Sequence, residues 1–274
     1  MKTGTEFTPL SAPKRDDPAS LAGNDNHARA AELRIATWNI HGATGADRVQ
    51  SAERIAAVVG ELDADIVALQ EVPLGDARTP NALDVLRAAT GLHAVEGPTL
   101  DTPRRRFGNA VLSRLPVRAA RTLDLSFGQR EPRGALDVDL HHRGETFRVV
   151  ATHLGLSARE RRAQIHRLLS AFDRPDLPVI LLGDINEWFV WGRALRMLVE
   201  HFRAAPAPRT FPARWPVFAL DRIWMHPGER LIDVRAHASP LARIASDHLP
   251  LVARVAASPQ RATTQRDEAG RAAC

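Results

Sequence analysis

The 274-residue sequence has one cysteine, Cys274, and no tyrosine. A single cysteine excludes an internal disulfide framework and favours a reducing compartment. Lysine occurs only at Lys2 and Lys14, so nearly all of the 37 basic residues are arginine. The formal charge of +5 gives weak support for an anionic, phosphate-bearing partner, because arginine-rich composition also arises without one.

Long apolar runs are also absent. No segment approaches the ~20 apolar residues of a membrane span, and residues 1–30 lack the apolar centre of a secretory signal. These absences predict a cytoplasmic protein without a transmembrane segment, and we expect a monomer. Residues 1–32 and 258–274 show no hydrophobic period, which predicts disordered tails on either side of one domain at 33–257.

Between the tails, short β-type segments mix with a few helical ones. Alternating or β-branched runs predict strands at 33–40, 65–72, 108–116, 133–140, 146–154, 178–186, 217–225 and 231–239, with another after 250. Helical spacing predicts helices at 51–62, 157–172 and 188–202, the last broken locally near Gly192, and Ser157 with Glu160 forms a capping-box pattern. Residues 142–145 predict a hairpin turn. The pattern indicates an α/β protein of packed sheets with helices outside.

Polar residues lie at or near an end of six of these strands. The run LLGDINEW ends its apolar stretch on Asp184 and Asn186, and unpaired burial of such groups costs several kcal/mol, about 1–3 or more each. Asn39, Glu71 and His153 close three further strands, Asp221 lies within the run FALDRIW, and Asp247 with His248 opens the last strand, so six strands carry such groups at or near an end. Each alone is more simply a turn former or a satisfied core residue. Six together favour a functional site at one edge of a sheet scaffold.

The residue types in this set limit the chemistry. No internal cysteine, tyrosine or Gly-x-Ser-x-Gly elbow is present, so covalent acyl chemistry lacks its usual nucleophile. Carboxylates without clustered Cys or ligand-spaced His favour a hard cation such as Mg²⁺, with Mn²⁺ as an alternative, over zinc. Phosphoryl chemistry uses such a cation together with a carboxylate that orients water.

Eight short motifs resemble, in order, those of the endonuclease/exonuclease/phosphatase superfamily. They are WNIHG (38–42), LQEV (69–72), GNAVLSRLP (108–116), PRGAL (132–136), THLGL (152–156), GDINEW (183–188), LDRIW (220–224) and SDHLP (246–250). The resemblance spans about residues 33–256. It implies a DNase I-like, four-layered αββα sandwich of two mixed β-sheets flanked by helices, with a metal-dependent phosphoesterase site at one edge.

The resemblance also implies a role for each strand-end residue. Glu71 would be the principal Mg²⁺ ligand, with Asn39 and Asp247 as further metal ligands. The catalytic residues would be Asp184, which activates water, Asn186, which holds that water or a phosphate oxygen, His153, which donates to the phosphate, and His248, which Asp221 orients. Asn39, Asn109 and Arg133 would bind the substrate phosphate. The implied reaction is in-line attack of water on phosphorus.

His41 and His153 stand where abasic-site nucleases of the family usually carry Asp and Tyr. This departure points away from abasic-site repair and leaves the phosphate-ester substrate open between nucleic acid and a phospholipid head group. A phosphomonoesterase or a catalytically inactive scaffold of the same fold also remain as alternatives. A calcineurin-like phosphatase is disfavoured, because Gly108-Asn109-Ala110 replaces its Gly-Asn-His box.

Three further features have open interpretations. Arg104, Arg105 and Arg106 form either a phosphate clamp or a solvated loop. Trp188, Phe189 and Trp191 are predicted to pack inward from a helix, although stacking on a base or contact with lipid is the alternative. Specificity is expected in loops at 73–82, 97–107 and 203–216.

Overall fold

The computed structural model describes residues 32–75, 81–171 and 177–257. Of the tails predicted at 1–32 and 258–274, all residues but Glu32, the first residue of β1, lie outside the described residues, so the predicted disorder and the domain boundaries stay predictions. No helix in the described ranges is both long enough and apolar enough to cross a membrane.

Eleven strands occur in the described ranges. They are β1 Glu32–Asn39, β2 Ile66–Pro73, β3 His93–Thr102, β4 Arg105–Ser113, β5 Val117–Asp124, β6 Gly134–His142, β7 Glu145–His153, β8 Val179–Asp184, β9 Asp221–His226, β10 Leu231–Ala236 and β11 Leu251–Ala256. One sheet has the order β10-β11-β1-β2-β4-β3 and the other the order β5-β6-β7-β8-β9. Both sheets are mixed, because β1 pairs with β2 and β7 pairs with β8 in parallel while the other pairs are antiparallel.

The described helices are α1 Ala52–Leu62, α2 Ala82–Thr90, α3 Ala158–Ser170, α4 Arg193–Phe202 and α5 Ala242–Ala245. Short 3-10 turns occupy His41–Ala43 and Gly228–Arg230. The Ser157 side chain accepts a hydrogen bond from the Glu160 amide, so the predicted start of α3 is confirmed. The predicted turn between β6 and β7 is also confirmed, since His142 pairs with Glu145 and both intervening residues have positive φ.

Successive side chains of a strand point to opposite faces of its sheet, and this alternation separates the buried apolar residues into three layers. In β1, Leu33 and Ile35 pack between the two sheets, whereas Ala36 and Trp38 pack against the helices that cover the first sheet. A third cluster lies between the second sheet and helices α3 and α4. These layers confirm the predicted α/β, four-layered αββα sandwich of two mixed β-sheets flanked by helices.

Several local predictions are wrong. Residues 97–107 are not a loop, because β3 and β4 extend through them as a hairpin closed by Thr102 and Arg105. Helix α2 and strands β3 and β5 were not expected; β5 is mostly exposed and carries no alternating apolar pattern. Strand β9 begins at Asp221 rather than 217, because Phe218 instead pairs with Phe211 in a separate narrow hairpin.

Candidate active site

On the face of the strands that points at the other sheet, apolar residues of the core are followed along the strand by polar residues. In β1 the residues Leu33, Ile35, Thr37 and Asn39 share one face, and the first two pack between the sheets. The same parity directs four further polar residues to the space between the sheets: Asn109 in the middle of β4, His153 and Asp184 at the ends of β7 and β8, and Asp221 at the start of β9. Because side chains alternate with a period of two, the core pattern itself aims these polar groups at a common edge.

Glu71 does not follow this alternation. By parity it would face the helices, as Leu69 does, but a bulge in the pairing of β2 with β4 falls between Leu69 and Val72. Glu71 has a φ of 57°, in the left-handed region. A bulge of this kind re-aims a side chain at a functional edge, and a non-glycine residue with positive φ costs about 1–3 kcal/mol. The bulge therefore delivers the Glu71 carboxylate to the site.

The end of β8 is shaped for close approach to β7. Gly183 has a φ of 145°, and a Cβ at this position would lie 1.8 Å from the Thr152 carbonyl oxygen, so no other residue fits. Parallel pairing then sets His153 opposite Asp184, and antiparallel pairing sets Asp184 opposite Asp221. Asp184 Oδ1 accepts a hydrogen bond from the Asn186 amide at 2.9 Å, which turns the chain at this point.

The two sheets meet at Asn39. Its Nδ2 donates to Glu71 Oε1 at 3.0 Å and to Asp184 Oδ2 at 3.1 Å, so both carboxylates face the same space. Its Oδ1 accepts a hydrogen bond from the His41 amide at 3.0 Å. In this orientation the Asn39 amide nitrogen, and not its oxygen, faces the carboxylates, and its predicted role as a metal ligand stays a prediction.

His248 is held by Asp221. Its Nδ1 lies 2.8 Å from Asp221 Oδ2, and its Nε2 lies 3.7 Å from Asp184 Oδ2. Burial alone lowers the pKa of His248, but the charge of Asp221 and its hydrogen bond outweigh burial and raise that pKa to about 10. With that pKa the ring is an imidazolium at neutral pH, so Nε2 carries a proton.

His153 has the opposite electrostatic state. Burial is the largest cause that lowers its pKa to about 3, and Arg133 adds to this effect against the charge of Asp184. Both ring nitrogens face donors: Asn186 Nδ2 lies 3.0 Å from Nε2, and Arg133 Nη1 lies 3.3 Å from Nδ1. A ring protonated on both nitrogens would oppose both donors, so the neutral form is favoured.

The donor set fits a hard divalent cation. Asp184, Asp221 and His248 place polar atoms within 4.8 Å of one another, and because the protonated His248 ring has no free nitrogen lone pair, the donors among them are the carboxylate oxygens of Asp184 and Asp221. Asp221 Oδ1 is buried and has no hydrogen-bond partner within the described residues, while Asp221 Oδ2 is already used by His248 and by Thr210. Glu71, which is partly exposed, adds a further carboxylate beside them. Oxygen donors with an excess of negative charge are what Mg²⁺ prefers.

The remaining predicted residues lie around this centre. Asp247 is half-buried, with Oδ1 at 3.9 Å from His41 Nδ1. Arg133 contacts His153 and pairs with Glu131 at 3.1 Å, and its buried Nε has no partner in the described part of the chain. Asn109 donates to the Gly134 carbonyl at 3.0 Å, which ties the two sheets together. The structure thus brings the predicted residues to one edge, whereas their roles remain proposals.

The arginine run lies beside this edge. A cavity of about 320 Å³ is lined by Gly42, Pro73 and Gly75, near the ends of β1 and β2, and by Arg104–Phe107. Arg106 is engaged by Glu96 and Asp101, and Arg105 lies over the Phe107 ring at 4.6 Å. Arg104 and Arg105 are exposed and form no ion pair with any residue in the described ranges.

Several supporting residues were not identified from the sequence. Thr210 Oγ1 donates to Asp221 Oδ2 at 2.5 Å, and the Phe211 ring lies 4.8 Å from the His248 ring. Trp38 Nε1 donates to the His248 carbonyl at 2.8 Å, and Ser246 Oγ donates to the Asn39 carbonyl at 2.8 Å. Trp38 and Ser246 lie inside recognised motifs, but Thr210 sits in a proline-rich loop without any pattern that marks it.

The predicted inward packing of Trp188, Phe189 and Trp191 is wrong. Helix α4 begins only at Arg193, after Gly192, so these aromatics lie in a turn before the helix. Phe189 is 56% exposed and Trp191 is 70% exposed. The buried ion pair of Glu187 with Arg161, at 3.1 Å, holds the start of the turn; Trp188 packs edge-on against Phe211 and Phe218, while Phe189 and Trp191 stay exposed.

Known proteins resemble this chain in sequence and in fold. A YbhP protein of Escherichia coli K12, described as uncharacterized, is 31% identical over 246 residues, which cover 81% of this chain and 96% of the relative. A structure of an endonuclease/exonuclease/phosphatase from Beutenbergia cavernae is 26% identical, with a TM-score of 0.67 over 82% of this chain and 72% of that one. A mannosyl-6-phosphatase of Bacteroides thetaiotaomicron shares the fold at 18% identity, with a TM-score of 0.63 over 81% of this chain and 98% of that one.

A sequence profile matches residues 36–248, which include every predicted site residue. Members of the matched family are generally hydrolases that act on phosphate esters. Taken with the αββα sandwich and the polar edge where its two sheets meet, the match shows that this chain belongs to the Endonuclease/Exonuclease/phosphatase family.

Proposed function

We propose that this chain is a divalent-metal-dependent phosphodiesterase that hydrolyses a phosphate ester by in-line attack of water. The observation that supports this best is the surroundings of Asp184 Oδ2. That oxygen lies 3.1 Å from Asn39 Nδ2, 3.5 Å from His153 Nε2 and 3.7 Å from His248 Nε2. Residues of both sheets therefore converge on one carboxylate oxygen, which is the arrangement expected of a group that orients water.

The charges at neutral pH suit the proposed roles. Asp184 accepts a proton from the attacking water. Asn186, whose backbone N–H donates to Asp184 Oδ1, helps to hold that water. The imidazolium of His248 offers its Nε2 proton to a phosphate oxygen or to the leaving oxygen, and Asp221 keeps the ring in that orientation. Asn109 and Arg133 remain the proposed phosphate contacts.

Glu71, Asn39 and Asp247 would hold Mg²⁺ or Mn²⁺, which when bound withdraws charge from the phosphate oxygens. The buried Asp221 Oδ1 without a partner and the surplus of carboxylates over cations are the structural features that support a cation here.

The test is hydrolysis of bis-p-nitrophenyl phosphate by the full chain after dialysis against EDTA, with and without added Mg²⁺ or Mn²⁺. We expect activity only with the metal, and its loss in Asp184→Ala. The exposed Asp84→Asn variant, at the start of α2, is the matched control and should keep the wild-type rate.

Equal inactivity of wild type and Asp184→Ala with both metals, across plasmid DNA, single-stranded RNA, sphingomyelin, phosphatidylglycerol and inositol phosphates, would instead support an inactive scaffold. Faster hydrolysis of p-nitrophenyl phosphate than of the diester would support the monoesterase alternative.

A further inference from the structure

Two loops beside the site expose large apolar side chains. Eight of the twelve large hydrophobic side chains that are exposed in the described ranges lie on or next to these loops, so the distribution is not even. They are Leu156, Trp188, Phe189, Val190, Trp191, Trp215, Val217 and Phe218, here called the interfacial surface. Val190, Trp191 and Trp215 are exposed by 73%, 70% and 79%. Concentrated exposed apolar area of this kind marks an interaction surface.

The interfacial surface is connected to the catalytic centre by a series of ring contacts. The ring of Trp188 packs edge-on against Phe211 at 5.7 Å and against Phe218 at 4.8 Å, which joins the two loops. Phe211 in turn lies 4.8 Å from the His248 ring. The Ala213 amide donates to the Asp247 carbonyl at 2.7 Å. A body docked on this surface would therefore lie at the mouth of the site.

Leu156 extends the surface on the other side of the 188–191 turn. Its carbonyl and the carboxylate of Glu187 are both bound by Arg161, which places Leu156 next to that turn. Leu156 follows His153 by three residues, so the surface borders the site from the β7 end as well as from the hairpin at 211–218.

The charge around these side chains is positive. Residues 188–199 and 201–220 contain no Asp or Glu. They carry four exposed arginines that form no ion pair with any described residue: Arg193, Arg196, Arg209 and Arg214. An apolar surface bordered by unpaired arginines complements a partner that is apolar inside and anionic outside.

The aliphatic side chains of the interfacial surface distinguish between two such partners, single-stranded nucleic acid and a lipid bilayer. Single-stranded nucleic acid would use the aromatic rings for stacking and the arginines for phosphates, but it leaves Leu156, Val190 and Val217 without a role. A bilayer interface accepts all eight side chains, because tryptophan prefers the headgroup level and aliphatic side chains enter the acyl region.

We propose that the interfacial surface docks this protein on an anionic lipid bilayer, so that the headgroup phosphate of a phospholipid enters the site beside His248. The inference rests on the proposed phosphoesterase function and names its substrate class. Docking is peripheral, by loops rather than by a spanning helix.

The test is cosedimentation of the full chain with vesicles of phosphatidylglycerol and phosphatidylethanolamine, compared with vesicles of phosphatidylcholine alone. We expect wild type to bind the anionic vesicles and to release with added salt. The double variant Trp191→Ala/Trp215→Ala should bind roughly 10²-fold more weakly, since burying one large side chain contributes about tenfold. The matched control Val117→Ala/Ile232→Ala, at two exposed positions on β5 and β10, should bind as wild type does.

Hydrolysis of soluble bis-p-nitrophenyl phosphate separates this inference from the proposed function. Among the described residues no hydrogen bond or ring contact joins Trp191 or Trp215 to a proposed catalytic side chain, so we expect the double variant to keep that rate while it loses hydrolysis of vesicle phosphatidylglycerol. Wild type that stays in the supernatant, or a double variant that binds as wild type does, would overturn the proposal even if the soluble diester is cleaved.

Two other results would also overturn lipid docking. One is tight binding of a single-stranded oligonucleotide without vesicle binding, which would make the surface a stacking platform. The other is a dimer in sedimentation velocity that Trp215→Ala dissociates, which would make it a self-association surface.

Discussion

The two ends of the sandwich both carry clustered charges, but the charges are arranged differently. At the end where β1 begins, a cavity of about 190 Å³ is lined by Glu32, Arg34, Asp63, Asp65, His142, Arg143 and Arg254. Its acids are neutralised: Asp63 pairs with Arg34 at 3.4 Å and with Arg114 at 2.9 Å, and Glu32 pairs with Arg254 at 3.2 Å. The ionic side chains there are also well exposed to water.

At the end where β1 finishes, the acids outnumber the cations. Asp184 and Asp221 are fully buried, and Glu71 meets only the amide of Asn39 and the neutral His153 among the described residues. Asp184 and Asp221 have hydrogen-bond partners, but within the described ranges they share a single cation, His248, and burying more carboxylates than cations is unfavourable unless another positive charge joins them. The difference between the ends shows that clustered charge alone does not mark a site, whereas uncompensated buried charge does.

The strongest test of this comparison is Asp184→Asn. The amide keeps the side-chain volume but cannot accept a proton from water, so we expect kcat for bis-p-nitrophenyl phosphate to fall roughly 10³-fold. Steady-state kinetics measure the loss, and a circular dichroism spectrum and melting temperature close to wild type show that the fold is intact. A variant that retains more than a tenth of the activity would remove Asp184 from the mechanism.

A smaller effect is expected for Asp221→Asn, which acts through His248. Without the Asp221 charge, burial dominates and the pKa of His248 falls from about 10 towards or below its ordinary value. The imidazolium is then lost at neutral pH, and we expect activity to fall roughly 10²-fold. An NMR titration of the imidazole proton follows this pKa directly, and an unchanged titration midpoint would contradict the coupling.

Asp139 tests how much a carboxylate paired with arginines, away from the site, contributes to the stability of the fold. Burial alone would raise its pKa, but hydrogen bonds from Arg121 and Arg148 outweigh burial and lower that pKa below 3.8. The stabilisation is therefore present above the unfolded pKa of about 3.9 and is lost as pH falls through the folded-state pKa.

Asp139→Asn should accordingly cost about 2 kcal/mol of the free energy of unfolding at neutral pH and flatten its decline in acid. Urea denaturation at about pH 7 and about pH 3 measures both effects. An equal acid-induced loss in wild type and variant would show that Asp139 makes no such contribution.

The smallest effect is expected at the neutralised end. Asp63→Asn removes one partner from exposed ion pairs, so the free energy of unfolding should change by less than about 1 kcal/mol and the activity should not change. Thermal denaturation with the soluble diester assay checks both points. A large loss of activity would mean that the two ends are coupled and that the comparison above is incomplete.

Much of the site was predictable from local pattern. Asn39 and Asp184 lie at the ends of strands that were predicted from their sequence pattern, and the parity of the core residues directs both side chains to one edge, whereas the strand of Asp221 was predicted to begin four residues too early. Glu71 was identified through its motif, but the direction of its side chain depends on the bulge in β2. Without that bulge, the alternation of the strand would point Glu71 at the helices. Strand β5 escaped prediction because its exposed residues leave no alternating pattern.

By itself the sequence determined the three apolar layers, the family and the polar ends of the strands, because these depend on residue type and on a period of two along each strand. The tertiary structure alone decided what meets those ends. Thr210 and Phe211 reach Asp221 and His248 from a proline-rich loop, and the ion pair of Arg161 with Glu187 holds the start of a turn in which Phe189 and Trp191 stay exposed. Such contacts join residues far apart in the chain, and no local pattern encodes which of them will meet.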